Sequence, residues 1–218
     1  MTNKVIVNGR PMTKAAFVNL FVNKRAPAIT HNDMVSASLR LGVPLANLQA
    51  LSAMESGRGS FSRNGRPVIL FEAHIFSRLT NRYYDRTHPH ISSRRWNRKL
   101  YARYMPGRYK RLADAAALNL DAAISSASWG RYQILGRWWR HLGYGSALDF
   151  AMQMVSSEVN HLDALVRFIE ANRLNKALRD CRPNVPESCV EFARRYNGPA
   201  FAKNNYHKKL SRFIARFS

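Results

Sequence analysis

Cysteine, acidic side chains and long apolar runs are all scarce in this chain of 218 residues, and each scarcity excludes something. The two cysteines, Cys181 and Cys189, flank Pro183 and Pro186 in no CxxC or metal-ligand spacing, which argues against a thioredoxin-like or zinc-binding motif. They read most simply as two small, partly buried residues, with a disulfide left open. The seven histidines form no HExxH or other ligand pattern, so the spacing points to no metal. The longest apolar candidate, "AAFVNLFV" from Ala15, falls far short of the roughly 18 residues that a membrane span needs. The opening "MTNKVIVNGRPMTK" lacks the basic, apolar and small-residue order of a secretory signal. A protein of this sequence is expected to be made in the cytoplasm, and work beyond it would require another route out.

What is present is a globular composition and an extreme charge. Hydrophobic residues make up 46% of the chain, too many for a disordered one, and the length suits one domain or one with a small appendage. Against 13 Asp and Glu stand 35 Lys and Arg, a formal charge of +22. Such a surface concentrates polyanions: nucleic acid, acidic lipid and an anionic wall polymer all fit. The excess is spread along the chain, denser at 94–111 and 203–216, as on the face of a folded domain. Charge alone favours a nucleic-acid-binding protein, but the sequence carries no recognised binding motif of that class.

The periodicity predicts a mainly α fold. "NDMVSASLRLG" reads as a short helix starting at Asn32 or Asp33 and ending before Gly42. Pro44 then opens "PLANLQALSAMES", closed by Gly57. Residues 57–68 carry hairpin-like turn chemistry, while "VILFEAHIFSRLT" is ambiguous between strand and helix. Residues 81–107 read as irregular and helices resume near Tyr109. Ser146 and Asp149 have capping-box spacing for a long helix to about Asn172. Pro186 begins a helix ending near Asn197, and a basic helix with Tyr206, Leu210, Phe213, Ile214 and Phe217 on one side closes the chain. Residues 1–34 are expected as a short appendage and 35–218 as the main domain.

Glu55 is one of few carboxylates, placed at the end of an apolar helix in "LQALSAMESGRGSF". The negative end of the helix dipole and the apolar side chains of Leu48 and Leu51 both disfavour its ionised form. A carboxyl protonated near neutral pH suits a general acid acting on a glycosidic oxygen. A helix-end Glu facing solvent, paired with Arg58, is the plain alternative that position alone favours.

"AMESGRGSF" followed by "RPVILFEAHIFSRL", then "SASWGRYQILG" (126–136) and "FARRYNGPAFAKNNYHKKL" (192–210), resembles the N-acetylmuramidase domain of phage endolysins, with the motifs in that family's order. More distantly the set is similar to goose-type lysozymes and lytic transglycosylases. The resemblance runs from about residue 35 to the C-terminus. It implies a lysozyme-like fold with a small β-hairpin region beside the catalytic helix, and no organic cofactor. It also implies a peptidoglycan hydrolase that cleaves the β-1,4 bond between N-acetylmuramic acid and N-acetylglucosamine and causes cell lysis. Like other phage lysins, it would stay in the host cytoplasm until the membrane is permeabilised and then act on periplasmic peptidoglycan.

Carried over by position, the resemblance makes Glu55 the catalytic acid, with Ser56 supporting it. Gly130 and Gln133 match a Gly-x-x-Gln motif, where bare backbone and an amide can meet sugar. Tyr196 and Asn197 match the third motif, which implies a Tyr hydroxyl near the acid. Glu72 in "LFEAHIF" is the choice for a second carboxylate, against a structural pairing with His74 or Arg78, and Asp85 stands next. Without a second carboxylate the enzyme would be a lytic transglycosylase forming 1,6-anhydro ends. Trp96, Tyr101, Trp129, Tyr132, Trp138 and Trp139 offer flat faces for sugar rings, with at least one of Trp138 and Trp139 expected in the core. The expected enzyme is a monomer whose basic surface takes the place of a wall-binding module.

Overall fold

The computed structural model describes residues 4–101 and 105–218. The Arg58 side chain and residues 102–104 of the basic stretch lie outside the described residues. Along the chain run β1 (Lys4–Val7), β2 (Arg10–Thr13), α1 (Lys14–Asn19), α2 (His31–Leu41), α3 (Leu45–Glu55), β3 (Ile69–Phe71) and α4 (Ala73–Leu79). Then follow α5 (Met105–Ala116), α6 (Leu120–Ser125), β4 (Ala127–Trp129), β5 (Ile134–Leu135), α7 (Ala147–Ser156), α8 (Glu158–Ala171), α9 (Asn175–Arg179), α10 (Val190–Asn197) and α11 (Tyr206–Phe217). The chain forms two compact units. One comprises the chain up to Pro27 with Gly59–Asn160, the other Ala28–Arg58 with His161–Ser218.

The first unit is built on two antiparallel sheets and their helices. β1 and β2 pair through an Asn8-Gly9 turn in which both residues have positive φ, the conformation that a tight hairpin demands. Val5, Phe17 and Phe21 of this N-terminal segment are completely buried, and Phe21 packs at 5.4 Å from Trp129. The expected appendage thus contributes core side chains as far as Phe21. Gly65 fixes the same region: its φ is +71°, and a Cβ there would sit 2.9 Å from the Asn23 backbone. The loop 57–68 closes as expected, through the antiparallel bridge Phe61–Pro67 and the bond from Gly65 N–H to Ser62 O.

The ambiguous "VILFEAHIFSRLT" resolves into both forms. Ile69–Phe71 pairs with Ala127–Trp129 as the outer strand of a three-stranded sheet, β3-β4-β5. The chain then turns into α4 at Glu72, whose N–H donates to Ser126 O at 2.9 Å. The single long helix expected from Ser146 is two. Ser157 is extended, and its side chain accepts from Asn160 N–H, so a second cap interrupts the ladder and starts α8.

The second unit is helical. α2 starts a residue earlier than expected because Thr30, not Asn32 or Asp33, is the cap, forming a capping box with Asp33; Gly42 ends it in the left-handed region. α11 packs on α3, with Leu48, Leu51, Leu210 and Ile214 all buried. Asn47, buried in α3, donates to Leu178 O and Cys181 O and so ties the chain after α9 to this helix. Cys181 and Cys189 are buried free thiols.

Candidate active site

Glu55 ends α3, directly after the apolar stretch that buries Leu48 and Leu51. Its half-buried carboxylate accepts a hydrogen bond at Oε1 from the hydroxyl of Tyr206, at 2.7 Å. Tyr206 is the first residue of α11, launched by Asn205 in the left-handed conformation, and is only 8% exposed. Burial, the neighbouring Tyr196 and Glu55 itself push its ionisation well above the usual phenol value, so it remains a neutral donor. The Tyr196 ring stacks on Phe192 at 5.1 Å and lies 6.1 Å from Tyr206. A hydroxyl on Glu55 thus comes from Tyr206, whose ring lies beside Tyr196. Asn197, the exposed last residue of α10, precedes Gly198 at φ +79°. Ser56 donates its hydroxyl to Ala53 O at 2.9 Å, finishing the helix end on which Glu55 sits.

In the other unit, Glu72 occupies the junction of β3 and α4. Its side chain is 17% exposed and its Oε2 accepts from the Tyr101 hydroxyl, with His74 Nδ1 at 3.4 Å. Of the two structural partners considered for Glu72, His74 is the nearby one. Burial and Glu72 raise the ionisation of Tyr101, which keeps it a donor. Asp85 accepts from Ser92 Oγ at 2.6 Å in the irregular region.

Gly130 and Gln133 form the turn between β4 and β5, with φ of +69° and +50°. A left-handed Gln needs compensation, and its side chain supplies it. Nε2 donates to Gly130 O at 2.8 Å and to Val68 O at 3.1 Å, and Gly130 N–H donates to the same Val68 O. The amide nitrogen thus serves the fold, and Oε1 is buried with no partner among the described residues.

The aromatic residues divide. Trp129 and Tyr132 are buried, at 1% and 4% exposure, and fill the core rather than offering faces to a ligand. Trp129 donates to Ile124 O. Trp96 is exposed and lies 5.8 Å from Tyr101. Neither Trp138 nor Trp139 is fully buried, contrary to expectation; each carries a guanidinium over its ring, Arg137 at 5.3 Å and Arg140 at 4.9 Å. Among the described residues no group of three or more His, Cys, Asp or Glu is placed to hold a metal.

A family model described as Muramidase, N-acetylmuramidase, matches residues 44–218. The chain belongs to the N-acetylmuramidase family. Among solved structures, the Burkholderia AP3 phage endolysin is similar, at 34% identity and a TM-score of 0.79, over 89% of this chain and 72% of that one. No curated protein matches the chain. Family and fold together make it a peptidoglycan hydrolase, a glycoside hydrolase of the mainly α, lysozyme-like class. No helix among its described residues is long and apolar enough to cross a membrane.

Sequence reasoning missed Tyr206 as the partner of Glu55. It read Tyr206 as one position of an apolar stripe, which it also is. The hydroxyl at the tip of that stripe was the only available signal, and nothing in the spacing tied it to a residue 151 positions earlier.

Proposed function

We propose that this muramidase cleaves the β-1,4 bond between N-acetylmuramic acid and N-acetylglucosamine, with Glu55 as general acid, and that it acts as a lysin. The observation that carries the reading is the Tyr206–Glu55 hydrogen bond at the end of α3, inside the matched family segment. Glu55 gives its proton to the glycosidic oxygen as the bond breaks and positive charge builds on the ring carbon. The carboxylate left behind is negative, and the Tyr206 hydroxyl donates to that form, fixing Oε1 before and after the transfer. Tyr206 is a positioning residue.

Glu72 is assigned the second carboxylate, orienting or deprotonating the attacking water. Tyr101 and His74 hold its Oε2 in one place, which favours that role over a side chain left to solvent. Gln133 is assigned to the sugar site by the family motif, with its amide fixed on Gly130 O and Val68 O, while Gly130 keeps the turn bare of side chain. Asn197 supplies an exposed amide. Ser56 and Tyr132 support the site through helix end and core.

Digestion of purified murein sacculi followed by mass analysis of the products tests the reading. Reducing N-acetylmuramic acid ends are expected from the wild type and none from a folded Glu55→Gln protein. 1,6-Anhydro ends would replace water by internal attack and remove Glu72 from the mechanism. Lysis retained by folded Glu55→Gln would overturn the assignment of the acid.

A further inference from the structure

Two cavities of about 540 and 470 Å3 lie side by side in the first unit, both within the usual range of small-molecule sites. Lys14, Lys110 and Asp114 line both. Asp114 accepts from Lys14 Nζ and from Lys110 Nζ, each at 2.8 Å, and has His90 Nε2 at 4.0 Å. Although burial works against it, these lysine bonds hold the Asp114 carboxyl below its ordinary range, so it stays charged. The larger cavity adds Arg66, whose guanidinium donates to Asn19 Oδ1 and lies 5.7 Å over the Tyr109 ring. Ala15, Val18 and Ala113 give it an apolar lining. The smaller adds His88 and His90. Arg111, next along α5, has Nη1 buried with no partner among the described residues.

Cations therefore outnumber anions here. Lys14 and Lys110 hold the one carboxylate, Arg66 lines the larger cavity, and His88 and His90 line the smaller. Desolvation together with His88, Lys110 and Arg111 pulls the His90 ionisation down, against the attraction of Asp114. Catalysis as proposed uses none of these groups.

We propose that the paired cavities bind the peptide stem of peptidoglycan, a short peptide bearing several carboxylates, small apolar side chains and an ammonium group. The choice of this peptide as the source rests on the muramidase reading. Carboxylates of the ligand meet Lys14, Arg66 and Lys110, and its alanine methyls meet the apolar lining. Asp114, shared by both cavities, favours a ligand of mixed sign over one carrying negative charge alone, such as a phosphate-dense surface. A stem held here would anchor the polymer independently of the glycan at Glu55.

The free tetrapeptide L-Ala-γ-D-Glu-meso-diaminopimelate-D-Ala contains no glycosidic bond, so its binding to the full chain is read apart from catalysis. In an NMR titration it should shift resonances of α1, α5 and His90 and raise the pH midpoint of His90, since added carboxylates favour the imidazolium. Lys14→Gln and, separately, Arg66→Gln should weaken it at least about tenfold, as loss of one charge-assisted bond implies. A melting curve checks each fold. No shift at these residues, shifts that inorganic phosphate reproduces equally, or unchanged affinity in both folded variants would each overturn the proposal. Loss of lysis in Glu55→Gln has no bearing on this titration, so the two readings fail separately.

Discussion

Glu55 and Glu72 belong to different units, and each accepts a hydrogen bond from a tyrosine hydroxyl distant in sequence. The supports differ. Tyr206 is buried, starts a twelve-residue helix packed on the very helix that carries Glu55, and is backed by the Tyr196–Phe192 stack. Tyr101 is half-buried, lies in an irregular segment after a short helical turn, and its ring neighbour Trp96 is 62% exposed. A side chain locked by packed elements keeps its geometry without ordering cost at each turnover, while one on a loop must be held by its partners. The comparison marks Glu55 as the carboxylate in the more rigid setting and Glu72 as the more adaptable one. Those settings suit the roles proposed for them, an acid aligned with one oxygen and a second group that accommodates a water.

Charge-removing substitutions break this comparison most severely. Glu55→Gln should fold normally and lose lysis by about three orders of magnitude or more, because the proton itself is lost. Glu72→Gln should lose at least about a hundredfold while the melting temperature barely moves. A large stability loss, with activity in proportion to the folded fraction, would make Glu72 a structural residue of the β3–α4 junction instead.

The tyrosines sharpen the same contrast at smaller amplitude. A hydrogen bond to a charged group contributes about 1.5–3 kcal/mol, so Tyr206→Phe should lower kcat by about ten- to a hundredfold with little change in KM. Tyr101→Phe, whose loop can readjust, should cost less than about tenfold. Steady-state rates on soluble glycan fragments decide it. Equal losses in both variants would mean that burial does not separate the two supports.

Much of this was legible in the sequence, for identifiable reasons. Local chemistry announced itself: Gly42 and Pro44 between helices, the Ser146 cap, the closed turn 57–68, and Glu55 at a helix end. What failed depended on neighbours far along the chain or on competing local signals. Ser157 is a second cap that a continuous apolar stripe concealed. Trp129 and Tyr132 look like sugar platforms until the sheet folds them inward. The Asn8-Gly9 hairpin was short, and only the packing of Phe17 and Phe21 ties this segment into the core. Tyr206 had to be found in three dimensions, because a hydroxyl on an apolar stripe does not name its acceptor.

Charge gives a more modest effect. Lys208, Lys209, Arg212 and Arg216 are all exposed on α11, the helix whose opposite side holds Tyr206, Leu210 and Ile214 inward. If this face draws the enzyme to an anionic envelope, lysis should fall by about tenfold as the screening length shrinks from about 8 Å at physiological salt to about 3 Å at 1 M. The quadruple Gln variant should flatten that dependence, and hydrolysis of an uncharged chitooligosaccharide should hardly respond. Equal salt response of both substrates would place the effect in the fold or the active site.

The smallest effect concerns alkaline stability and treats the two units alike. Tyr109 in the first is 1% exposed and donates to Pro67 O at 3.0 Å; Tyr206 in the second is 8% exposed and donates to Glu55. Burial leads the upward shift in both, with Glu55 and Tyr196 adding to it for Tyr206. Both phenols therefore have folded-state values above the unfolded value of about 10. A group raised in this way stabilises the fold fully below about pH 10, and that contribution is lost as pH climbs from there through the folded-state value. Melting temperature followed from pH 8 to about 11 should drop most steeply in the wild type. Each of Tyr109→Phe and Tyr206→Phe should start lower at neutral pH, having lost a hydrogen bond, yet decline less steeply, and the double variant least of all. Parallel curves for all four proteins would show that other groups titrating near pH 10, the lysines and the remaining tyrosines foremost, govern alkaline unfolding.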